Sequence, residues 1–166
     1  VQRRERDLAG ADEEQLAAVD FVHLGAVGGE EAGFLHCLLA HEYGHHVQRI
    51  TGIMDRYPNN GTGPTSNGVR TELQADCFAG AWVAAMAQQT DQNGVPFLQE
   101  PTEQQIRDAL DAAAAVGDDH IQAQSGFVNP ESWTHGSSEQ RQRWFSTGFR
   151  DGVGACDTFA ASGSSL

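Results

Sequence analysis

The feature that most constrains this chain is His41-Glu42-Tyr43-Gly44-His45, an HExxH pattern set inside a helical repeat. Apolar residues fall at Phe34, Leu35, Leu38, Leu39, Val47 and Ile50, a 3.6-residue period that predicts a helix over about residues 30–51. Glu30 and Glu31 in its first turn and Arg49 in its last suit the helix dipole, and Gly52 offers a stop. Residues four apart on a helix project from one face. The imidazoles of His41 and His45 are therefore placed to share one Zn²⁺ at about 2.0–2.1 Å. Glu42 lies beside that face, where it can act as general base toward a water whose pKa the metal lowers to about 7. Gly44 costs roughly 1 kcal/mol in a helix interior. Close approach of another backbone, or of a substrate, would account for it.

A catalytic zinc needs three protein ligands and one open position. The extended pattern HExxHxxGxxH does not hold here: Gln48 stands where its glycine would be and Thr51 where its third histidine would be. Glu72-Leu73-Gln74-Ala75-Asp76 supplies the other common solution, a glutamate on a following helix. Glu72 and Asp76 share one face of a largely apolar stretch, and a buried acid needs a partner. Glu72 is the candidate third ligand. Asp76 is the candidate acceptor for the far ring nitrogen of a ligand histidine, which would set its tautomer.

Five histidines lie outside the motif. His46 reads as a neighbour or surface residue, since a fourth ligand would close the site. His36 falls off the metal face, and His23 and His120 have no supporting pattern. His135, in Trp133-Thr134-His135-Gly136-Ser137, is a candidate donor toward the oxyanion of a hydrolysed amide. A histidine in a structural turn is the equal alternative. Cys37, one turn before His41, reads as a small buried hydrophobe.

The rest of the chain predicts more helix. One spans about residues 69–89. Another opens at Thr102, whose Thr-x-x-Gln with Gln105 is a capping box, and stops at Gly117. A last one follows Ser137, where Ser-x-x-Gln with Gln140 repeats the device. Weaker helical spacing runs from Asp12 to Val22. Residues 55–68, crowded with Gly, Pro and Asn, predict a flexible rim. Residues from Ala160 onward predict a frayed tail. No stretch has a clear strand pattern. The expected fold is mainly α: a zincin-like domain, residues 1–166 as one unit, with the HExxH helix packed against the Glu72 helix.

Composition excludes some partners. Ten Arg, no Lys and 23 acidic residues leave a net charge of −13, which repels nucleic acid and anionic lipid. No apolar run is long enough to span a membrane. The chain starts without Met or a hydrophobic leader, so any export signal or anchor is expected upstream. Three cysteines, Cys37, Cys77 and Cys156, cannot all pair within one chain. Cys77 with Cys156 is one candidate pair, and three free thiols are the alternative.

Taken together, five segments resemble the bacterial neutral zinc metallopeptidase family: His41 to Gln48, Glu72 to Cys77, Gly117-Asp118-Asp119, Pro130 to Arg141, and Cys156 to Phe159. The resemblance covers most of the chain from about Phe34 and is loose over residues 1–33. It implies a zinc peptidase of the gluzincin kind acting on peptides or proteins. It also implies, in many members, an N-terminal membrane anchor with the peptidase domain outside the cytoplasm. That setting would favour a Cys77–Cys156 disulfide. The rival reading is a zinc-stabilised module that scaffolds an envelope complex without hydrolysis. Such a module has no need of Glu42.

Overall fold

A computed structural model describes residues 30–96 and 101–166, the side chains of residues 30–36 and of Glu103 excepted. The helical spacing of Asp12 to Val22, His23 and the side chain of His36 lie outside these. The elements are α1 (Glu30–Ile50), α2 (Ile53–Arg56), α3 (Asn67–Gln88), α4 (Glu103–Ala115), α5 (Asp118–Ala123) and α6 (Ser138–Asp151). Short 3-10 turns occupy Pro130–Ser132 and Val153–Ala155. No strand occurs among the described residues, only an isolated bridge between Thr90 and Pro96.

α3 is the centre of the fold, with α1 on one side and α6 on another. Its start lies two residues ahead of the predicted one because the Ser66 hydroxyl caps it, accepting from the Val69 amide. Both predicted capping boxes are formed, at Thr102 with Gln105 and at Ser137 with Gln140. Gly117 ends the helical run as expected and then serves as N-cap of α5. One core cluster joins Val69, Leu73 and Cys77 of α3 to Trp133, Trp144, Cys156 and Leu166. A second gathers Ala40, Ala79, Ala109 and Phe145 between four helices.

Two close helix approaches rest on glycine. A Cβ on Gly148 of α6 would collide with the Cys77 carbonyl, and one on Gly80 with the Phe145 carbonyl, so the α3–α6 crossing requires both. Where α1 meets α3, a Cβ on Gly44 would stand 3.2 Å from the Ala75 Cα and 3.3 Å from its carbonyl oxygen. That neighbouring backbone accounts for a glycine inside the HExxH helix.

Three expectations change. Among the described side chains of the α1 apolar stripe, Leu38, Leu39 and Ile50 are exposed and Val47 is half-buried, while Ala40, His41, Gly44 and Gln48 face inward. Docking on α3 is set by the polar site residues and the glycine contact, which outweigh the hydrophobic period. The tail from Ala160 is anchored at two points, with Leu166 buried in the core and Ala161 packed against it, while Ala160 and residues 162–165 are exposed. Arg70 donates to the Thr158 and Ala161 carbonyls and Arg143 to that of Leu166, so arginines hold this segment. The 55–68 loop is tied down as well. Thr62 donates to the Glu131 carbonyl, the Gly63 amide to the Trp133 carbonyl, and Tyr57 stacks on Phe159 at 4.1 Å.

Candidate metal centre

One turn of α1 and one of α3 face each other across the Gly44–Ala75 contact. Helical geometry puts His41 and His45 on the same side of α1, and α3 brings Glu72 opposite them. His41 Nε2 lies 3.1 Å from His45 Nε2 and 3.4 Å from Glu72 Oε2, and His45 Nε2 lies 3.5 Å from Glu72 Oε1. Among the described residues these three form a group able to hold a metal ion. The residues fit zinc. A tetrahedral site with bonds near 2.0–2.1 Å separates its ligand atoms by about 3.3–3.4 Å, close to the spacings seen. Two imidazoles and a carboxylate are also the donor types zinc prefers.

The far side of each imidazole is held. His41 Nδ1 lies 2.8 Å from Asp76 Oδ1, the contact expected from the sequence. Asp76 is itself gripped by Arg141, whose Nε and Nη2 donate to its two oxygens at 2.8 Å each. Arg141 is buried, so this is a desolvated, two-pronged ion pair. His45 Nδ1 lies 2.8 Å from Gln48 Oε1. Neither Arg141 nor Gln48 stood out in the sequence as a site residue. Gln48 did carry a signal, its place three residues after His45 on the same helical face. Arg141 closes one of the segments of the resemblance, but nothing there pointed to Asp76, 65 residues away.

The electrostatics follow from this packing. Burial works against a charged His41, but the hydrogen bonds to Asp76 and Glu72 prevail and raise its pKa to about 9. The Glu72 contact raises His45 against a smaller opposing effect of burial. Burial pushes Glu72 up, yet the two histidines hold it well below the usual carboxylate range. Carboxylate and imidazoles thus stabilise one another's charged forms, as an ion pair does. Burial, aided by Asp76, pushes the free Cys37 thiol up to about 11, which keeps it neutral and unreactive.

Glu42 is exposed on α1 directly after His41, and His46 is exposed beside Tyr43, outside the metal group. His135 shares a cleft of about 360 Å³ with Glu72, Tyr57, Asn59 and Thr134. Its turn is organised by Asp118, a residue to which the sequence pattern assigned no chemistry. Asp118 Oδ2 accepts from the amides of Thr134, His135 and Gly136 at 2.7, 2.7 and 3.0 Å. His135 Nδ1 faces Thr134 Oγ1 at 2.9 Å and Asp118 Oδ1 at 3.3 Å. Asp119 fastens the same region by accepting from the amide and hydroxyl of Ser138. Cys77 and Cys156 form a disulfide, which leaves Cys37 as the free thiol.

The chain is 52% identical over 128 residues to an uncharacterized protein of Mycobacterium tuberculosis, covering 75% of this chain and 44% of that protein. It is 45% identical over 146 residues to the uncharacterized protein YpfJ of Escherichia coli K12, covering 84% of this chain and 47% of that protein. The chain thus spans less than half the length of these relatives. No solved structure matches it. The family model described as "Putative neutral zinc metallopeptidase" matches residues 21–159, most of the chain, and the chain belongs to that family.

Proposed function

We propose that this domain hydrolyses peptide bonds with a zinc ion held by His41, His45 and Glu72. The observation that carries the reading is the convergence of three donor atoms, with each imidazole tied at Nδ1 so that its Nε2 faces the shared point. When bound there, zinc supplies Lewis acidity, polarising a carbonyl and making water acidic enough to attack at neutral pH. Glu42 takes the proton of the attacking water and passes it to the leaving amine. Asp76, braced by Arg141, holds the His41 ring in orientation. His135 lies in the cleft beside Glu72. With Nδ1 accepting from the Thr134 hydroxyl, Nε2 carries a hydrogen. It then donates to the carbonyl oxygen as negative charge builds. Peptides or proteins are the substrates, entering past Met54, Tyr57 and Asn59 on the cleft wall.

The setting belongs to the same proposal: outside the cytoplasm, in a membrane-anchored or secreted full-length protein. The disulfide supports this, because such bonds persist in oxidising compartments. Among the described residues no helix is long and apolar enough to cross a membrane.

Metal analysis of purified protein, paired with two variants, tests the reading. Wild type is expected to carry one zinc per chain. Glu42→Gln should keep that zinc and lose about 10²- to 10⁴-fold in turnover of a peptide library. Glu72→Ala should lose the zinc. Full peptidase activity in Glu42→Gln, or no zinc in wild type under zinc-replete conditions, would end it.

A further inference from the structure

The two ligand histidines are held by different chemistry, and the holder of His45 runs deep into the protein. Gln48 is fully buried. Its Nε2 donates to the Thr71 carbonyl at 2.8 Å and to Gln74 Oε1 at 3.0 Å. A carbonyl oxygen only accepts, so the nitrogen of the Gln48 amide must point there and its oxygen must point at His45. The 2.8 Å contact between Gln48 Oε1 and His45 Nδ1 then requires the hydrogen to sit on Nδ1. In the neutral ring, the form that ligates a metal, Nε2 then carries the lone pair toward Glu72 and His41. Gln74 is directed in the same way, its Nε2 donating to the Cys156 carbonyl at 2.9 Å. Both hydrogens of the Gln48 amide and one of the Gln74 amide meet an acceptor, and reversing either amide would set oxygen against a carbonyl oxygen. The series begins at a fixed backbone carbonyl beside the Cys77–Cys156 disulfide and ends at the ring of a metal-facing histidine.

We infer that Gln48 and Gln74 are positioning residues: a relay of directed amides, anchored at the Cys156 carbonyl, that locks His45 in its metal-ligating tautomer. The inference rests on the zinc reading above. A neutral relay has a chemical reason here. His41 already has a carboxylate behind it, balanced by Arg141. A second carboxylate in place of Gln48 would be a buried charge without a cation, facing the Thr71 carbonyl.

Three measurements on the intact chain test it. In metal-free protein, the side-chain NH₂ hydrogens of Gln48 and Gln74 should exchange slowly with solvent. In zinc-loaded protein, nitrogen-detected histidine spectra should show His45 with a proton on Nδ1 and the metal on Nε2. Gln48→Met keeps the volume and removes the acceptor. It should weaken zinc affinity, measured by competition with a chromophoric chelator, about 10- to 100-fold while the metal-free circular dichroism spectrum stays unchanged. Amide exchange at the solvent rate, a His45 lacking the Nδ1 proton, or a folded Gln48→Met with wild-type affinity would each overturn the relay. If that variant does not fold, the two wild-type spectra decide. A wild type that binds no zinc removes the zinc reading and this role with it. Zinc bound without dependence on Gln48 removes this inference alone.

Discussion

At the scale of single residues, the site is a set of groups whose charges require one another. Asp76 is buried and accepts from both His41 and Arg141, so its charge is met on two sides. Breaking a buried pair by removing one partner leaves the other charge stranded. Arg141→Met should therefore cost about 3–5 kcal/mol of stability, read by chemical denaturation of the metal-free protein. It should also loosen the His41 ring. A loss below about 1 kcal/mol, the range of exposed pairs, would show that Asp76 is solvated or neutral. Asp118 does comparable work elsewhere. Its three accepted amide bonds shape the turn that carries His135 to the cleft. The pairing of Glu72 with the HExxH motif was legible in the sequence because a zinc with two histidines calls for a third donor. The roles of Arg141 and Asp118 were not, because an isolated arginine or aspartate carries no sign of what it will meet.

At the scale of elements, two helix contacts set the geometry. α1 and α3 meet at Gly44 and Ala75, which brings Glu72 within 3.5 Å of both histidine nitrogens. α3 and α6 cross through Gly80 and Gly148, which lets Arg141 reach Asp76. Added volume at such a crossing has no room to relax, and overpacking costs up to about 3 kcal/mol. Gly148→Ala, despite its better helix propensity, should lower stability by about that amount in urea denaturation. A neutral or stabilising effect would mean that the helices do not cross as closely as described. The helices and their caps were largely readable, since periodicity and Thr-x-x-Gln or Ser-x-x-Gln are local signals. The face that α1 turns to α3 was not, because His41, Gly44 and Gln48 lie on it while the described Leu38, Leu39 and Ile50 are exposed.

At the scale of the whole molecule, the disulfide joins α3 to the segment after α6 across 79 residues of sequence. Closing a loop of that length restricts the unfolded chain, and its loss costs about 4.5 kcal/mol on the chain-entropy account. A Cys77→Ala/Cys156→Ala variant should melt lower by a corresponding amount in calorimetry. It should also bind zinc more weakly than stability alone explains, because the Cys156 carbonyl anchors Gln74. Undiminished zinc affinity in the folded double variant would separate the disulfide from the site.

What the sequence by itself determined is whatever local geometry dictates. Residues four apart on a helix must share a face, so His41 with His45, and Glu72 with Asp76, were bound to project together wherever their helices went. Capping boxes and stop signals act within a few residues and were equally plain. The tertiary structure alone decided which faces meet. Gln48 reaches Gln74 26 residues away, Gln74 reaches Cys156 82 away, and Arg141 reaches Asp76 65 away. Such contacts depend on the angle and depth at which helices cross. Those follow from the volumes and hydrogen-bond demands of the assembled core, which no local spacing encodes.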